Sequence, residues 1–179
     1  MPLGAARFGL LGGVADLGKL ELIETQTASS TKVIFSSIQE STYNVHFLTV
    51  QNITHSVSGK VFLRLYESGV EETASVYQNA GLLAESDGSF TERKDTADNL
   101  LFETSNTFGA INFYTYCYNF GNSSKYSFVT YQGTDWDNKS SNYFGGGVLP
   151  QASTVDGISI NSTQTMQTGT ISLYGIAES

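Results

Sequence analysis

The side chains best suited to chemistry in this sequence lie in one polar stretch, TDWDNKSSN, within residues 133–144. Asp135, Asp137 and Asn138 offer oxygen atoms of the kind that calcium prefers. Trp136, the only tryptophan, offers a flat ring on which a sugar can stack. The stretch is not an EF-hand, because the glycine and the distal glutamate of that loop are absent at the required spacing. It predicts an exposed loop that binds a glycan or calcium, or else a polar loop whose tryptophan packs on the body.

The other reactive side chains argue against catalysis. His46 falls within a strand pattern and His55 in a turn, and neither has metal-ligand spacing or a visible pairing with Cys117, the single cysteine. Cys117 falls on the expected core face of a strand, where cysteine behaves as a small hydrophobe. The sequence has no G-x-S-x-G, P-loop or H-E-x-x-H motif, and its acidic residues are scattered. We therefore expect a protein that is not an enzyme and that uses no cofactor and no metal.

Composition narrows the classes of partner. The chain has 179 residues, a net charge of −8 and a pI of about 4.6. Nucleic acid is an unsuitable partner, because phosphate binding needs clustered lysine and arginine. No stretch approaches the roughly 18–20 apolar residues of a membrane span, so no membrane insertion is expected. A lone cysteine excludes an internal disulfide framework, and the length suits one domain with a sizeable core.

From Leu20 onward the hydrophobic pattern has a period of two, which is typical of half-buried strands. In STYNVHFLTVQN this period places Tyr43, Val45 and Phe47 on one face. Clusters rich in glycine, serine and asparagine separate the runs. The pattern predicts an all-β fold, an antiparallel β-sandwich that is jelly-roll-like. Only TADNLLFET and SVYQNAGLLAE leave room for a turn or two of helix.

The predicted strand within residues 109–120 carries large side chains on both faces. One face is the expected core. The other face presents Tyr114, Tyr116 and Tyr118, and tyrosine is common at protein interfaces because it combines apolar area with a polar tip. These tyrosines predict a subunit interface, most simply that of a homotrimer. The alternative is a face covered by a loop of the same chain. The core face would consist of Ile111, Phe113, Thr115 and Cys117.

The first 18 residues follow neither the helical nor the strand period. They are apolar and rich in glycine, and they lack the basic start and unbroken apolar run of a signal peptide. We expect an extended N-terminal docking arm, residues 1–18, followed by a β-sandwich body, residues 19–179. The alternative is a loose terminus without a partner. The expected arm contacts are Arg7, Phe8, Leu10, Leu11 and Val14.

Both ends of the chain resemble a family of small virion structural proteins of marine tailed bacteriophages. The resemblance is carried by the opening GAARFGLLGGVADLGKLELIETQTASS and the close QTGTISLYGIAES, and STYNVHFLTVQN and SSKYSFVTYQ fit the same style. It implies a jelly-roll-like sandwich without catalytic residues, made in the bacterial host cytoplasm and located in the virion. The implied partners are further copies of the chain and the major capsid or tail protein of the particle.

Two functions follow from these observations. The first is a capsid decoration (cement) protein or tail-associated subunit, anchored by the N-terminal arm. The alternative is a lectin-like fibre or receptor-binding module that binds a host-surface glycan through the stretch around Trp136. The number of copies in the particle separates the two, because decoration needs hundreds of copies and a fibre needs few.

Overall fold

The computed structural model describes residues 19–105, 109–136 and 138–177, and every regular element within them is a β-strand. The expected docking arm, residues 1–18, lies outside the described residues together with its contacts Arg7, Phe8, Leu10, Leu11 and Val14. The described part of the chain also contains no helix that could cross a membrane. The prediction of an all-β antiparallel sandwich is confirmed.

Thirteen strands form in the described residues. They are β1 (Leu20–Thr27), β2 (Lys32–Phe35), β3 (Val45–His55), β4 (Gly59–Glu67), β5 (Val70–Glu71), β6 (Tyr77–Glu85), β7 (Phe90–Ala97), β8 (Leu100–Ser105), β9 (Ile111–Tyr118), β10 (Ser127–Trp136), β11 (Ser140–Leu149), β12 (Val155–Ser162) and β13 (Met166–Ile176).

The strands form two antiparallel sheets. The large sheet has the order β1-β13-β3-β9-β10-β11-β6-β7, and the small sheet has the order β2-β12-β4-β5, with β8 also paired to β4. The late strand β13 lies between two early ones, β1 and β3. The core between the sheets is filled by apolar side chains of both, including Leu48, Phe113 and Tyr143 from the large sheet and Leu63 and Ile160 from the small one.

Strand alternation decides which side chains enter this core. Along β10 every second residue is buried, from Ser127 to Asp135, and the residues between them are exposed. In β9 the four predicted core residues are buried, and the intervening side chains lie on the opposite face. Period-two packing therefore leaves the large sheet with one face in the core and one outer face toward solvent.

The two expected helical segments and the expected face of Tyr43 were wrong. The segments SVYQNAGLLAE and TADNLLFET form no helix, since β6 pairs with β7 and β11, and β8 pairs with β4. Tyr43 does not share a face with Phe47. It precedes β3 in a turn in which its backbone N–H donates to the Gln39 carbonyl. Its buried ring packs on Gly175, and its hydroxyl donates a 2.6 Å hydrogen bond to Glu21.

Candidate binding site on the large sheet

The outer face of the large sheet is uncharged across its five central strands. Among the described residues of β13, β3, β9, β10 and β11, the side chains that alternation places on this face are aromatic, hydroxyl-bearing, amide-bearing or aliphatic. We call this surface the outer face. It consists of Thr170, Ser172 and Tyr174, of Val45, Phe47, Thr49 and Gln51, of Asn112, Tyr114, Tyr116 and Tyr118, of Phe128, Thr130, Gln132, Thr134 and Trp136, and of Ser140, Asn142, Phe144, Gly146 and Val148.

An aromatic cluster occupies the part of the outer face formed by β13, β3 and β9. The ring of Phe47 lies 4.8 Å from that of Tyr116, 5.8 Å from that of Tyr114 and 6.2 Å from that of Tyr174, measured between centroids. Tyr116 also stacks on Tyr118 at 6.5 Å. The three tyrosines singled out in the sequence thus lie together on one solvent-facing surface. Their use as a subunit interface stays a prediction.

Beside this cluster the outer face has a first depression of about 360 Å³, formed by β3, β9, β10 and β11. Two of its amide side chains, Gln51 and Asn142, are exposed and make no side-chain hydrogen bond within the described part of the chain. A third amide, Asn112, accepts a 2.9 Å hydrogen bond from the Asn52 backbone N–H at a bulge in β3. The outer-face side chains that line the first depression are Phe47, Thr49, Gln51, Asn112, Tyr114, Gln132, Thr134 and Asn142.

A second depression, also of about 360 Å³, adjoins the first. Tyr114 and Tyr116 stand on one side of it and Phe144 on the other, with Thr130 between them. Thr130 pairs across the strands with Gly146, where an added Cβ would lie only 2.7 Å from the Val129 carbonyl oxygen. A glycine at this position therefore avoids a clash with the backbone of β10.

Tyr114 and Gln132 belong to both depressions. The Tyr114 hydroxyl donates a 2.8 Å hydrogen bond to Oε1 of Gln132, which fixes both side chains at the shared boundary. We call the two depressions together the groove. Its lining combines aromatic surface with hydroxyl and amide groups that can each donate or accept hydrogen bonds.

The stretch 133–144, expected to be a loop, consists mostly of paired strand, because β10 continues to Trp136 and β11 begins at Ser140. Asp135 and Trp136 therefore point to opposite faces. Asp135 is 5% exposed and lies on the core side, whereas Trp136 is 59% exposed on the outer face. The exposure of Trp136 agrees with the prediction from the sequence. Asn138 lies in the turn with φ of 60°, and Asp137 lies outside the described residues.

Asp135 and the exposed Trp136 face opposite sides of the sheet. The calcium loop stays a prediction, because one of its three proposed ligands, Asp137, lies outside the described residues. Within residues 19–105, 109–136 and 138–177, no three histidine, cysteine or acidic side chains are grouped so that they could hold a metal ion. Trp136 remains near the groove, since it follows Thr134 on the same face of β10 at roughly 7 Å along the strand.

The histidines and the cysteine lie in the core and not in the groove. His46 is buried, its Nε2 lies 2.8 Å from the Ile38 carbonyl oxygen, and burial lowers its pKa. His55 is the last residue of β3 and not part of a turn. Its Nε2 lies 2.7 Å from Oγ of Ser162, and burial lowers its pKa too. Burial also raises the pKa of the Cys117 thiol to about 12. These groups therefore have the environment of packing residues.

The outer surface of the small sheet has a different chemistry. Glu71 accepts hydrogen bonds from Lys32 at 2.5 Å and Ser159 at 2.7 Å. Burial alone would raise the pKa of Glu71, but these donors outweigh it and the pKa is lowered. On the neighbouring strand, Arg64 pairs with Asp98. The outer surface of the small sheet therefore carries ion pairs, and so does edge strand β7 of the large sheet, where Lys94 pairs with Glu92, while the central outer face of the large sheet has no charge among its described residues.

The sequence matches no model of a known protein family, and no curated protein matches it significantly. Among solved structures, a human SPRY domain is similar with a TM-score of 0.38 and 11% identity, covering 87% of this chain and 96% of that one. The CBM2 module of the evolved Dit of Lactobacillus casei BL23 phage J-1 has a TM-score of 0.28 and 9% identity, over 90% and 81% of the two chains. Scytalido-glutamic peptidase has a TM-score of 0.28 and 10% identity, over 83% and 66%. Likenesses at TM-scores of 0.28 to 0.38 assign no function to this chain.

Proposed function

We propose that the protein is a non-enzymatic component of a tailed-bacteriophage particle that binds its partner through the outer face of the large sheet. The observation that carries this proposal is the absence of charge from the described residues of that face, in a chain whose net charge is −8. Loss of charged residues and enrichment in aromatic ones are the compositional signature of interface cores. The setting in a virion rests on the resemblance of the two chain ends.

Large aromatic side chains remain exposed on this face. Phe144 is 51% exposed, Phe128 44% and Trp136 59%, and all three lie on the same outer face as the half-buried aromatic cluster. Monomeric soluble proteins rarely leave contiguous apolar surface open without a use for it. The outer side of the small sheet instead carries two ion pairs, Lys32–Glu71 and Arg64–Asp98. The difference between the two sheets favours the large sheet as the side that meets a partner.

Two roles fit such a face. In the first, the protein is a capsid decoration or tail-associated subunit, held by the arm of residues 1–18 and assembled as a homotrimer on the major capsid or tail protein. Many equivalent sites on a particle would make modest contacts sufficient. In the second, the face recognises a host-surface glycan, which the amide and hydroxyl lining of the groove favours.

The first test is the protein's abundance in purified particles. A stained gel calibrated against the major capsid protein should show hundreds of copies for a decoration protein and a handful for a fibre or tail protein. Absence of the protein from the particles would refute the virion proposal.

A second test addresses the face itself. Phe144→Lys places a charge in the uncharged face and should abolish binding of the purified protein to particles that lack it, or to host cells. Val70→Lys is the matched control, because Val70 is an exposed aliphatic residue of the small sheet. Equal binding by both variants and the unchanged protein would show that the outer face is not the binding surface.

A further inference from the structure

We propose that the groove binds a neutral oligosaccharide. This inference rests on the proposed binding role of the outer face and names the ligand class. Three features support it: the groove's dimensions, the alternation of aromatic and amide groups in its lining, and its lack of charge.

The groove has the dimensions of a small-ligand site. Each depression is about 360 Å³, within the roughly 300–1,000 Å³ of typical ligand pockets. The groove crosses the sheet from β3 to β11, which is three strand spacings of about 4.8 Å, or ~14 Å in total. The Tyr114–Gln132 pair lies across β9 and β10 and separates two compartments that follow one another along these strands, with Asn112 and Thr134 on one side of it and Tyr116 and Thr130 on the other. A linear chain of sugar rings would fit such a shape better than a single compact ligand.

The lining offers both kinds of contact that a sugar needs. A sugar ring has apolar C–H faces, which pack on aromatic side chains, and Phe144 opposite Tyr114 and Tyr116 supplies such surfaces in the second depression. A sugar hydroxyl both donates and accepts hydrogen bonds, and so do the amides of Gln51 and Asn142 in the first depression. An apolar protein segment would not use these amides and would leave them unpaired, which is costly once water is excluded.

The charge distribution selects a neutral ligand. The described lining residues carry no lysine, arginine or histidine to neutralise a sulfate or carboxylate, and the chain as a whole is acidic. An acidic glycan would therefore meet net repulsion without a compensating ion pair. The groove also lacks a carboxylate that would favour a cationic ligand.

The test uses the full chain and a panel of neutral oligosaccharides (glucans, mannans and galactans) beside sialylated and sulfated ones. We expect binding to at least one neutral oligosaccharide. Phe144→Ala and Gln132→Ala should each weaken that binding at least tenfold. Phe90→Ala is the matched control, because Phe90 is an exposed aromatic residue of β7, outside the outer face, and lines neither depression. It should bind like the unchanged protein, and thermal melting verifies that each variant is folded.

Three results would overturn the inference: no binding to any neutral oligosaccharide at millimolar concentration, preference for the acidic ones, or equal weakening by Phe90→Ala. Light scattering supplies a fourth result that would overturn the inference. If the protein is an oligomer and Tyr116→Lys dissociates it, a second copy of the chain covers the aromatic cluster beside the groove. The failure of this inference is distinguishable from that of the proposed function. If sugars do not bind but Phe144→Lys still abolishes attachment to particles, the binding face stands and only the ligand class is wrong.

Discussion

Replacing Gly133 with alanine should destabilise the protein, although alanine in a strand is ordinarily favoured over glycine. Gly133 lies in β10 with its core side against Tyr143, to which it is paired across the strands. A Cβ built there would lie 2.4 Å from Cζ and 2.5 Å from Cε2 of the Tyr143 ring. Tyr143 is almost fully buried, so its ring has little room to move away.

Two effects of opposite sign set the magnitude. Overpacking a core by one methyl group costs about 1–3 kcal/mol. Alanine also lowers the conformational entropy of the unfolded chain, which stabilises the fold by about 0.4–1 kcal/mol where the backbone angles suit alanine. They do so at Gly133, which has no positive φ. Subtracting the two ranges gives a net loss of about 0–2.6 kcal/mol, with a midpoint near 1.3 kcal/mol. For a chain of this length the midpoint corresponds to a fall in Tm of roughly 3–5 °C.

Thermal and urea unfolding of the purified variant measure this loss. The control is the same substitution in a Tyr143→Leu protein, which lacks the tyrosine ring. There Gly133→Ala should lower the free energy of unfolding by less than it does when Tyr143 is present. A double-mutant cycle between these neighbours should show a coupling of about 0.5–3 kcal/mol. An unchanged or raised Tm for Gly133→Ala alone would refute the close packing of Tyr143 on β10.

Four further outcomes are expected. Trp136→Ala should leave stability within about 0.5 kcal/mol, because the ring is mostly exposed; a large drop in Tm would make it a core residue. Burial lowers the pKa values of His46 and His55, so the folded chain takes up protons less readily than the unfolded chain. The contribution of these histidines to stability should be complete above about pH 6.5 and fall below it, by at most about 1.4 kcal/mol per pH unit for each; a flat Tm between pH 7.5 and 5.5 would contradict this. Cys117, with its pKa raised to about 12, should react with thiol reagents at pH 8 only in denaturant. A chain beginning at Lys19 should melt like the full chain but fail to join particles, and equal incorporation would reduce the arm to a loose terminus.

The sequence was most informative where side chains alternate without interruption. The period in β9 predicted its four core residues and its tyrosine face correctly, because burial of one face demands that pattern. It failed in β6, where the small residues Ala80 and Gly81 weaken the alternation and the strand is held by pairing on both edges. Such pairing joins residues far apart in the chain, which no local pattern reveals.

The groove was missed for a related reason. Gly133 and Asp135 are turn formers, so the stretch around them resembled a loop, and the continued alternation from Gln132 to Trp136 was the signal that pointed to a strand. The depressions themselves depend on β11 lying beside β10, which places Asn142 and Phe144 next to side chains of β3 and β9. That neighbourhood is a property of the sheet order and is not encoded in spacing.

The position of β13 between β1 and β3 has a consequence for how the protein is made. The roughly 110 residues that separate His55 from Met166 take a ribosome about 6–22 s to add at 5–20 residues per second. Throughout that time β1 lacks β13, its neighbour in the large sheet among the described strands, and one edge of β3 is open to other chains. Open edges of this kind promote aggregation. Completion of the large sheet therefore waits for the last strand, and nascent chains halted before Met166 should depend on chaperones to stay soluble.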